Sequence, residues 1–241
     1  MEHKKLQTFD STLRDGAQGA NISFSVEDKL HVIDALDRLG IDFIEAGNPY
    51  SNPAEAEFFQ RIRGKKLEHA KIVAFGSTRR KGIAPEEDAN LKSLLAADTQ
   101  YCAIFGKSHI RHVTDVLKAE PEENLAMIGD SVRFLAAHGK KVVFDAEHFF
   151  DGFKTDEDYA MRALAAAHDA GAAVLCLCDT NGGIFPDEAY AITKKVCDAF
   201  PAVTVAIHCH NDGGLAVAAS VEAVRAGAAQ VQGTFLGFGE R

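Results

Sequence analysis

The chain has 241 residues, of which 46% are hydrophobic and 25% charged, and this is the composition of an ordinary globular protein. The formal net charge of -9 argues against a general nucleic-acid binder, because such proteins carry a basic face. No apolar run approaches the roughly 18 residues that a membrane span needs, and the start, MEHKKLQTFD, lacks the apolar core of a signal peptide. We therefore expect a cytoplasmic protein with no nucleic-acid partner and no membrane partner.

The cysteines are odd in number and include no CxxC pair: Cys102, Cys176, Cys178, Cys197 and Cys209. Several lie inside apolar runs, where a thiol behaves as a small hydrophobic group. We therefore expect no disulfide framework. Cys176 and Cys178 are interpreted as packing residues of a buried strand.

A repeated junction organises the chain. A helical pattern ends at a glycine and a short apolar run follows, at Gly40, Gly139, Gly171 and Gly227. Glycine suits the left-handed position after a helix, and the apolar runs are too continuous for a sheet with one wet face. The pattern predicts a buried parallel sheet with strands at residues 7–11, 43–46, 71–75, 101–105, 141–146, 173–178, 203–208 and 230–234.

Helix starts lie between these strands. A hydroxyl followed by an acid three residues later marks two of them, at Ser25 and Thr155. Prolines followed by acids mark the others, at Pro53, Pro85, Pro121 and Pro186.

Eight evenly spaced strands favour a (β/α)8 barrel formed by one domain over residues 1–241. A doubly wound open sheet is the alternative, but no GxGxxG follows the first strand. Only a few residues follow the last strand, so the eighth helix is expected to be missing. Either the chain is a truncated piece of a longer protein, which is the favoured interpretation, or the barrel closes incompletely.

The segment His208-Cys209-His210 ends the seventh predicted strand. Side chains alternate between the two faces of a strand, so both histidines point to one side and Cys209 to the other. Two imidazoles on one face suit one metal ion, although two polar residues at a wet strand end explain the motif equally well by itself.

Asp15 follows the first predicted strand. In a closed barrel the first and seventh strands lie close together at the rim, so Asp15 can supply a third ligand, a carboxylate oxygen. A local ion pair between Arg14 and Asp15 is the alternative. The histidine pair at the same rim makes that alternative the weaker one.

Further polar residues follow other strands at the same end of the barrel, namely Glu45, Glu147, Asp179 and Thr180. Active sites of barrels are built at this end. A loop cap or a salt bridge is the favoured interpretation for each of them alone, except Glu147. That carboxylate is expected to point toward the site and to orient a base or a water molecule.

A basic loop containing Arg79 and Arg80 follows the third strand. A solvated run of charge is the default interpretation. Recognition of phosphates on a nucleotide-bearing substrate is the alternative, because guanidinium groups bind phosphates well.

Two longer motifs, LRDGAQ with Lys29 beyond it and HCHNDGGLAVAAS, resemble the paired signature of the 2-isopropylmalate, homocitrate and citramalate synthases. These are metal-dependent Claisen-condensing barrels, grouped as DRE-TIM metallolyases. The segments EAGNP, FGKS, DAEHFFDGFK and LCDTNGG are most similar to the citramalate synthase branch, and the resemblance covers nearly the whole chain.

The resemblance implies that Asp15, His208 and His210 hold a divalent metal, Mg, Mn or Zn, and that Arg14 stabilises the enolate oxygen of acetyl-CoA. It places Gln18, Glu147 and Thr180 around a metal-bound keto acid. The implied reaction joins acetyl-CoA and pyruvate to give citramalate and CoA.

The resemblance leaves alternatives open: another keto acid in the same chemistry, a lyase running it in reverse, or an inactive metal-binding fragment. It also implies a homodimer for the full-length protein. Two departures from the family pattern stand out. Leu236 occupies a position where much of the group has asparagine, and the longer C-terminal part of these enzymes is absent.

A pyruvate site needs apolar bulk next to the ketone. The aromatic rings of Phe75 and Phe105, at the third and fourth strand ends, are the candidates for it. Ordinary packing of the barrel wall is the favoured alternative for both rings.

Overall fold

The computed structural model describes residues 5–239, and eight parallel strands form a closed barrel in them. The strands, β1 to β8 in chain order, are Gln7–Asp10, Phe43–Gly47, Lys71–Ser77, Tyr101–Lys107, Lys141–Glu147, Val174–Asp179, Thr204–Cys209 and Gln230–Gly233. Each strand pairs with its sequence neighbour. The predicted strands are confirmed, with bounds that differ by one or two residues.

The pairing of β1 with β8 closes the ring, with Gln7 opposite Gln230 and Asp10 opposite Gly233. Since an open sheet has two unpaired edges, this pairing excludes the doubly wound alternative. The predicted (β/α)8 barrel is therefore confirmed.

The helices form the outer layer. Helices α1 to α8 are Val26–Leu39, Pro53–Ile62, Ala89–Ala96, Pro121–Ala137, Phe149–Thr155, Glu157–Asp169, Pro186–Ala199 and Ala216–Ala226. A π-helical turn, His112–Leu117, precedes α4. In the part of the chain described, no helix is both long and apolar enough to cross a bilayer.

Most of the predicted helix starts are confirmed, including the capping box at Ser25 and the first-turn prolines of α2, α4 and α7. Two were wrong. Asp156, and not Thr155, accepts the capping hydrogen bond of α6, because α5 runs through Thr155. Pro85 lies in a turn, and α3 begins after Asp88, whose carboxylate accepts from the backbone N–H of Leu91.

The glycine junctions have the conformation that the sequence predicts. Gly40 and Gly171 follow α1 and α6 with φ of 85° and 99°, in the left-handed region that glycine enters without a steric penalty. The short connections that result bring each helix back onto the barrel.

Two apolar layers hold the barrel. Strand side chains that point outward pack against the helices, as Ile44, Phe144 and Ile207 do. Inward-pointing side chains fill the ring, among them Phe43 and Val143. Among the described residues, Cys102, Cys176, Cys178 and Cys209 form no disulfide bond.

A groove of about 610 Å³ lies on the outer face of β8 and α8. Beyond β8 the described chain forms one 3-10 turn, Phe235–Gly237, so no helix within residues 5–239 covers this face. Val217 and Val221 of α8 are 79% and 52% exposed. This is the face that an eighth outer helix covers in a complete (β/α)8 barrel.

Candidate active site and metal centre

Asp15, His208 and His210 meet at the carboxyl end of the barrel, as the sequence predicts. Oδ2 of Asp15 lies 3.6 Å from Nε2 of His208 and 3.6 Å from Nε2 of His210. Two atoms bound to one cation at about 2.0–2.2 Å lie roughly 3 to 3.6 Å apart. Cys209 packs on the opposite, outer face. The three side chains therefore have the spacing of ligands to a single metal ion.

Hydrogen bonds to the other ring nitrogens orient both imidazoles. Nδ1 of His208 lies 3.2 Å from Oε1 of Gln232, and Nδ1 of His210 lies 2.9 Å from the backbone carbonyl oxygen of Thr180. Since a carbonyl oxygen only accepts, each Nδ1 carries a proton, and a ring that gives up its Nε2 proton to become neutral then directs the lone pair of Nε2 toward Asp15. This tautomer is the one that ligates metal, so the residues fit a divalent cation.

Charge also favours a cation here. Burial alone would raise the pKa of Asp15, but hydrogen bonds from His208 and His210 and the charge of Arg14 outweigh it and hold that pKa far below its usual range. Asp15 is consequently ionised and suited to bind a cation.

Arg14 is held from two sides. Its Nε donates to Oε2 of Glu45 at 2.6 Å, and its Nη1 donates to Oδ1 of Asp15 at 2.9 Å. The guanidinium carbon lies 4.0 Å above the ring of Phe75. Among the described residues no acceptor binds Nη2, so this nitrogen keeps donors for a ligand. The Arg14–Asp15 ion pair, which the sequence analysis weighed as the weaker alternative, is thus present, and Asp15 also contacts His208 and His210.

Glu45 is fully buried in the middle of β2 and forms a salt bridge with Arg14, one of the two roles that the sequence analysis favoured for it. Burial raises the pKa of Glu45 to about 7, although Arg14 acts in the opposite direction. The nearby carboxylate of Asp145 contributes to this rise in the pKa of Glu45. Sequence analysis did not single out Asp145, whose only signal is its place two residues before Glu147 on the same face of β5.

Glu147 is paired with a lysine that the sequence analysis missed. Nζ of Lys107 forms an ion pair with Oε2 of Glu147, at the ends of the adjacent strands β4 and β5. The same Nζ lies 5.8 Å from the ring centroid of Phe105. Lys107 could have been found from its position, because it is the polar end of an apolar strand.

Phe75 and Phe105 both point into the barrel and stack on each other, with centroids 5.6 Å apart and an interplanar angle of 18°. Because Arg14 covers the face of Phe75, the ring pair forms an apolar wall next to the guanidinium. Their role in substrate selection stays a prediction.

The other predicted residues occupy less central positions. Gln18 is exposed in a 3-10 turn that follows Asp15. Oγ1 of Thr180 accepts from the backbone N–H of His148, and Asp179 caps its loop by accepting from Gly183 and Ile184. Leu236 is 84% exposed and provides no ligand atom to the cluster.

Arg79 is buried and paired with acidic side chains, whereas Arg80 is exposed to solvent. The side chain of Arg79 is 7% exposed and pairs with Asp130 and Glu123 at 2.9 and 3.0 Å. This guanidinium is occupied within the fold, which disfavours both solvation and phosphate binding. Arg80 is exposed and remains the candidate for phosphate recognition.

The HMGL-like family model matches residues 5–241. The chain belongs to the HMGL-like family. This membership agrees with the resemblance noted from the two signature motifs. Within this family the chain is 52% identical to an (R)-citramalate synthase of Sulfolobus acidocaldarius over 99% of its own length and 45% of that protein. It is 50% identical to an (R)-citramalate synthase of Aquifex aeolicus, with the same coverage of both chains.

A more distant relative is a probable 2-isopropylmalate synthase of Methanopyrus kandleri, at 37% identity over 98% of this chain and 45% of the relative. The chain thus spans about 45% of the length of each of these three curated relatives. Among solved structures, HMG-CoA lyase of Bacillus subtilis superposes with a TM-score of 0.81 at 21% identity, covering 98% of this chain and 78% of the other. At that identity the likeness supports the barrel fold alone.

Proposed function

We propose that this chain is the catalytic barrel of a metal-dependent enzyme that condenses acetyl-CoA with pyruvate and water to give citramalate and CoA. The observation that carries the proposal is the cluster of Asp15, His208 and His210 beside Arg14 at the mouth of the barrel. The citramalate synthases among its relatives support the choice of reaction.

Asp15, His208 and His210 would hold the metal ion to which the acceptor substrate binds. A divalent cation, Mg, Mn or Zn, held by Asp15, His208 and His210 would polarise the ketone of pyruvate as a Lewis acid. Gln232 and the Thr180 carbonyl keep the two imidazoles in the ligating tautomer. The keto acid and acetyl-CoA are the proposed small-molecule partners.

Arg14 stabilises the negative charge that develops on the thioester oxygen when acetyl-CoA becomes an enolate. Its guanidinium is held by Glu45 and Asp15 before substrate arrives, so little reorganisation is needed as charge develops. The donors on Nη2 are available to the oxygen.

The remaining residues surround the reacting atoms. Glu147, held by Lys107, orients a water molecule or a base, as expected for a carboxylate at this end of the barrel. Gln18 lies at the rim after β1, across the barrel from Glu147 at the end of β5. Phe75 and Phe105 close the site around the methyl group of pyruvate. Arg80 binds phosphates of the coenzyme, and the longer protein acts as a homodimer.

The experiment is a thiol-release assay on the longer protein with acetyl-CoA and a panel of keto acids. Pyruvate should give the highest kcat/KM. The Asp15→Asn variant, which removes a proposed metal ligand, should release no thiol. A higher kcat/KM with 2-ketoisovalerate or 2-ketoglutarate would replace pyruvate as the substrate. Cleavage of a hydroxyacyl-CoA without any condensation would assign a lyase, and binding of metal without either reaction would assign a non-catalytic barrel.

A further inference from the structure

A second group of potential metal ligands lies inside the barrel, below the first. Cys176 and Cys178 lie two positions apart on β6, so both sulfurs point into the ring, and Asp145 of β5 is in register with Cys176. One ligand atom from each of the three lies within 4.8 Å of the other two. The two Sγ atoms are 4.0 Å apart.

All three side chains are withdrawn from solvent. Asp145 is 5% exposed, Cys176 0% and Cys178 8%. Among the described residues, no hydrogen-bond partner exists for the buried Oδ1 of Asp145. A buried carboxylate oxygen without a partner is energetically costly, and a bound cation is one of the few groups that offsets such a cost.

We propose that Asp145, Cys176 and Cys178 form a second metal site, which binds a soft divalent cation such as Zn²⁺ or Cd²⁺. Thiolates select soft cations, whereas Mg²⁺ and Mn²⁺ prefer oxygen and imidazole ligands. Each thiol that binds the cation as a thiolate releases one proton to the solvent. Three protein ligands leave a fourth tetrahedral position, which water can fill from the side of Cys178.

The charges nearby suit this occupant. The guanidinium of Arg14 and the carboxyl groups of Glu45, Asp145 and Asp15 act on one another inside the ring. Arg14 donates hydrogen bonds to Glu45 and Asp15, so among the described residues Asp145 has no cationic hydrogen-bond partner, and a divalent cation there supplies a positive charge. Burial raises the pKa of Cys176, so without metal the thiol stays protonated and inert.

The second site is adjacent to the first and separate from it. Cys178 is in register with His208 on the neighbouring strand β7, which makes these two side chains direct neighbours on the inner face. The two sites share no ligand, so each can be emptied by substitution without removing the other. The inference does not depend on the reaction proposed above.

Titration of the chain with Cd²⁺, under a phosphine reductant that keeps the thiols free, tests the proposal. Cd²⁺ bound by thiolates gives a charge-transfer band in the ultraviolet that imidazole and carboxylate ligands do not give. The wild-type chain and its Asp15→Asn variant should both show a band that saturates at one Cd²⁺ with two thiolates. Prior saturation with Mn²⁺ should leave the band in place.

Substitution identifies the ligands. Cys176→Ser and Cys178→Ser should each lower the band by about half, since one of two thiolates is lost. The double variant should lose it, and the matched control Cys102→Ser, a buried cysteine of the outer layer, should retain it. A band that survives in the double variant, or the absence of a band in the wild-type chain, would overturn the proposal, and the wild-type measurement does not depend on any variant folding.

Discussion

Replacement of Glu45 by glutamine tests how the barrel accommodates its buried charges. Glu45 is fully buried, and its Oε1 atom lacks a hydrogen-bond partner among residues 5–239. Burial raises the pKa of this carboxyl to about 7, and Arg14 only partly offsets the rise. The folded chain therefore holds a proton at Glu45 that the unfolded chain has already released.

The direction in which the free energy of unfolding changes with pH follows from the number of protons that the folded and unfolded states bind. Between the unfolded pKa of 4.5 and the folded pKa of about 7, the native state binds more protons than the unfolded state. The stability that this proton provides is fully present below pH 4.5 and is lost as the pH rises through about 7. A rise of this size corresponds to about 3 kcal/mol, because one pKa unit is about 1.4 kcal/mol.

The measurement is urea unfolding of the metal-free chain at several pH values from about 5 to 8, a range that contains the folded pKa of Glu45. The wild-type free energy of unfolding should fall by about 3 kcal/mol more over this range than that of Glu45→Gln, which cannot titrate. Glu87→Gln, an exposed matched control, should behave like the wild type. Equal pH slopes for Glu45→Gln and the wild type would refute the reasoning.

Other substitutions test the site itself. Asp15→Asn should abolish binding of Mn²⁺, measured by elemental analysis of the Mn²⁺-loaded chain, and leave the circular dichroism spectrum unchanged, because Asp15 lies at the rim of the barrel. Arg14→Lys in the longer protein should keep the metal and lower kcat by about 10²- to 10³-fold, the value of one oxyanion donor, and an unchanged kcat would contradict the enolate role. Gln232→Ala should weaken metal affinity by about 10- to 100-fold in a calorimetric titration, because the His208 ring loses its orienting partner. Phe75→Ala and Phe105→Ala should shift the kcat/KM ratio of the longer protein from pyruvate toward 2-ketoisovalerate by roughly one to two decades, and two unchanged ratios would place the selective wall elsewhere.

Sequence alone predicted the barrel and the meeting of Asp15, His208 and His210 for one shared reason. Strand alternation and glycine junctions are local patterns, and strand ends that carry polar residues must meet at one rim once the ring closes. The ligand group of Asp15, His208 and His210 follows from those two rules.

The missed residues depend on contacts that are not local. Gln232 matters because β8 is in register with β7 at His208, and Lys107 matters because β4 ends opposite Glu147. Neither residue forms part of a short motif, and an inward-facing polar side chain shows its partner only in three dimensions. The start of α3 was missed for another reason, since Pro85 also suits the turn that it occupies.

The closure of β1 onto β8 has a consequence for how the metal and the fold depend on each other. Asp15 follows the first strand and the two histidines end the seventh, so the cluster forms only when both ends of the chain have met. A cation bound there would link the segment after β1 to the end of β7, beside the β1–β8 pair that closes the ring. It would stabilise the closed barrel by mass action over any intermediate in which β1 has not yet docked.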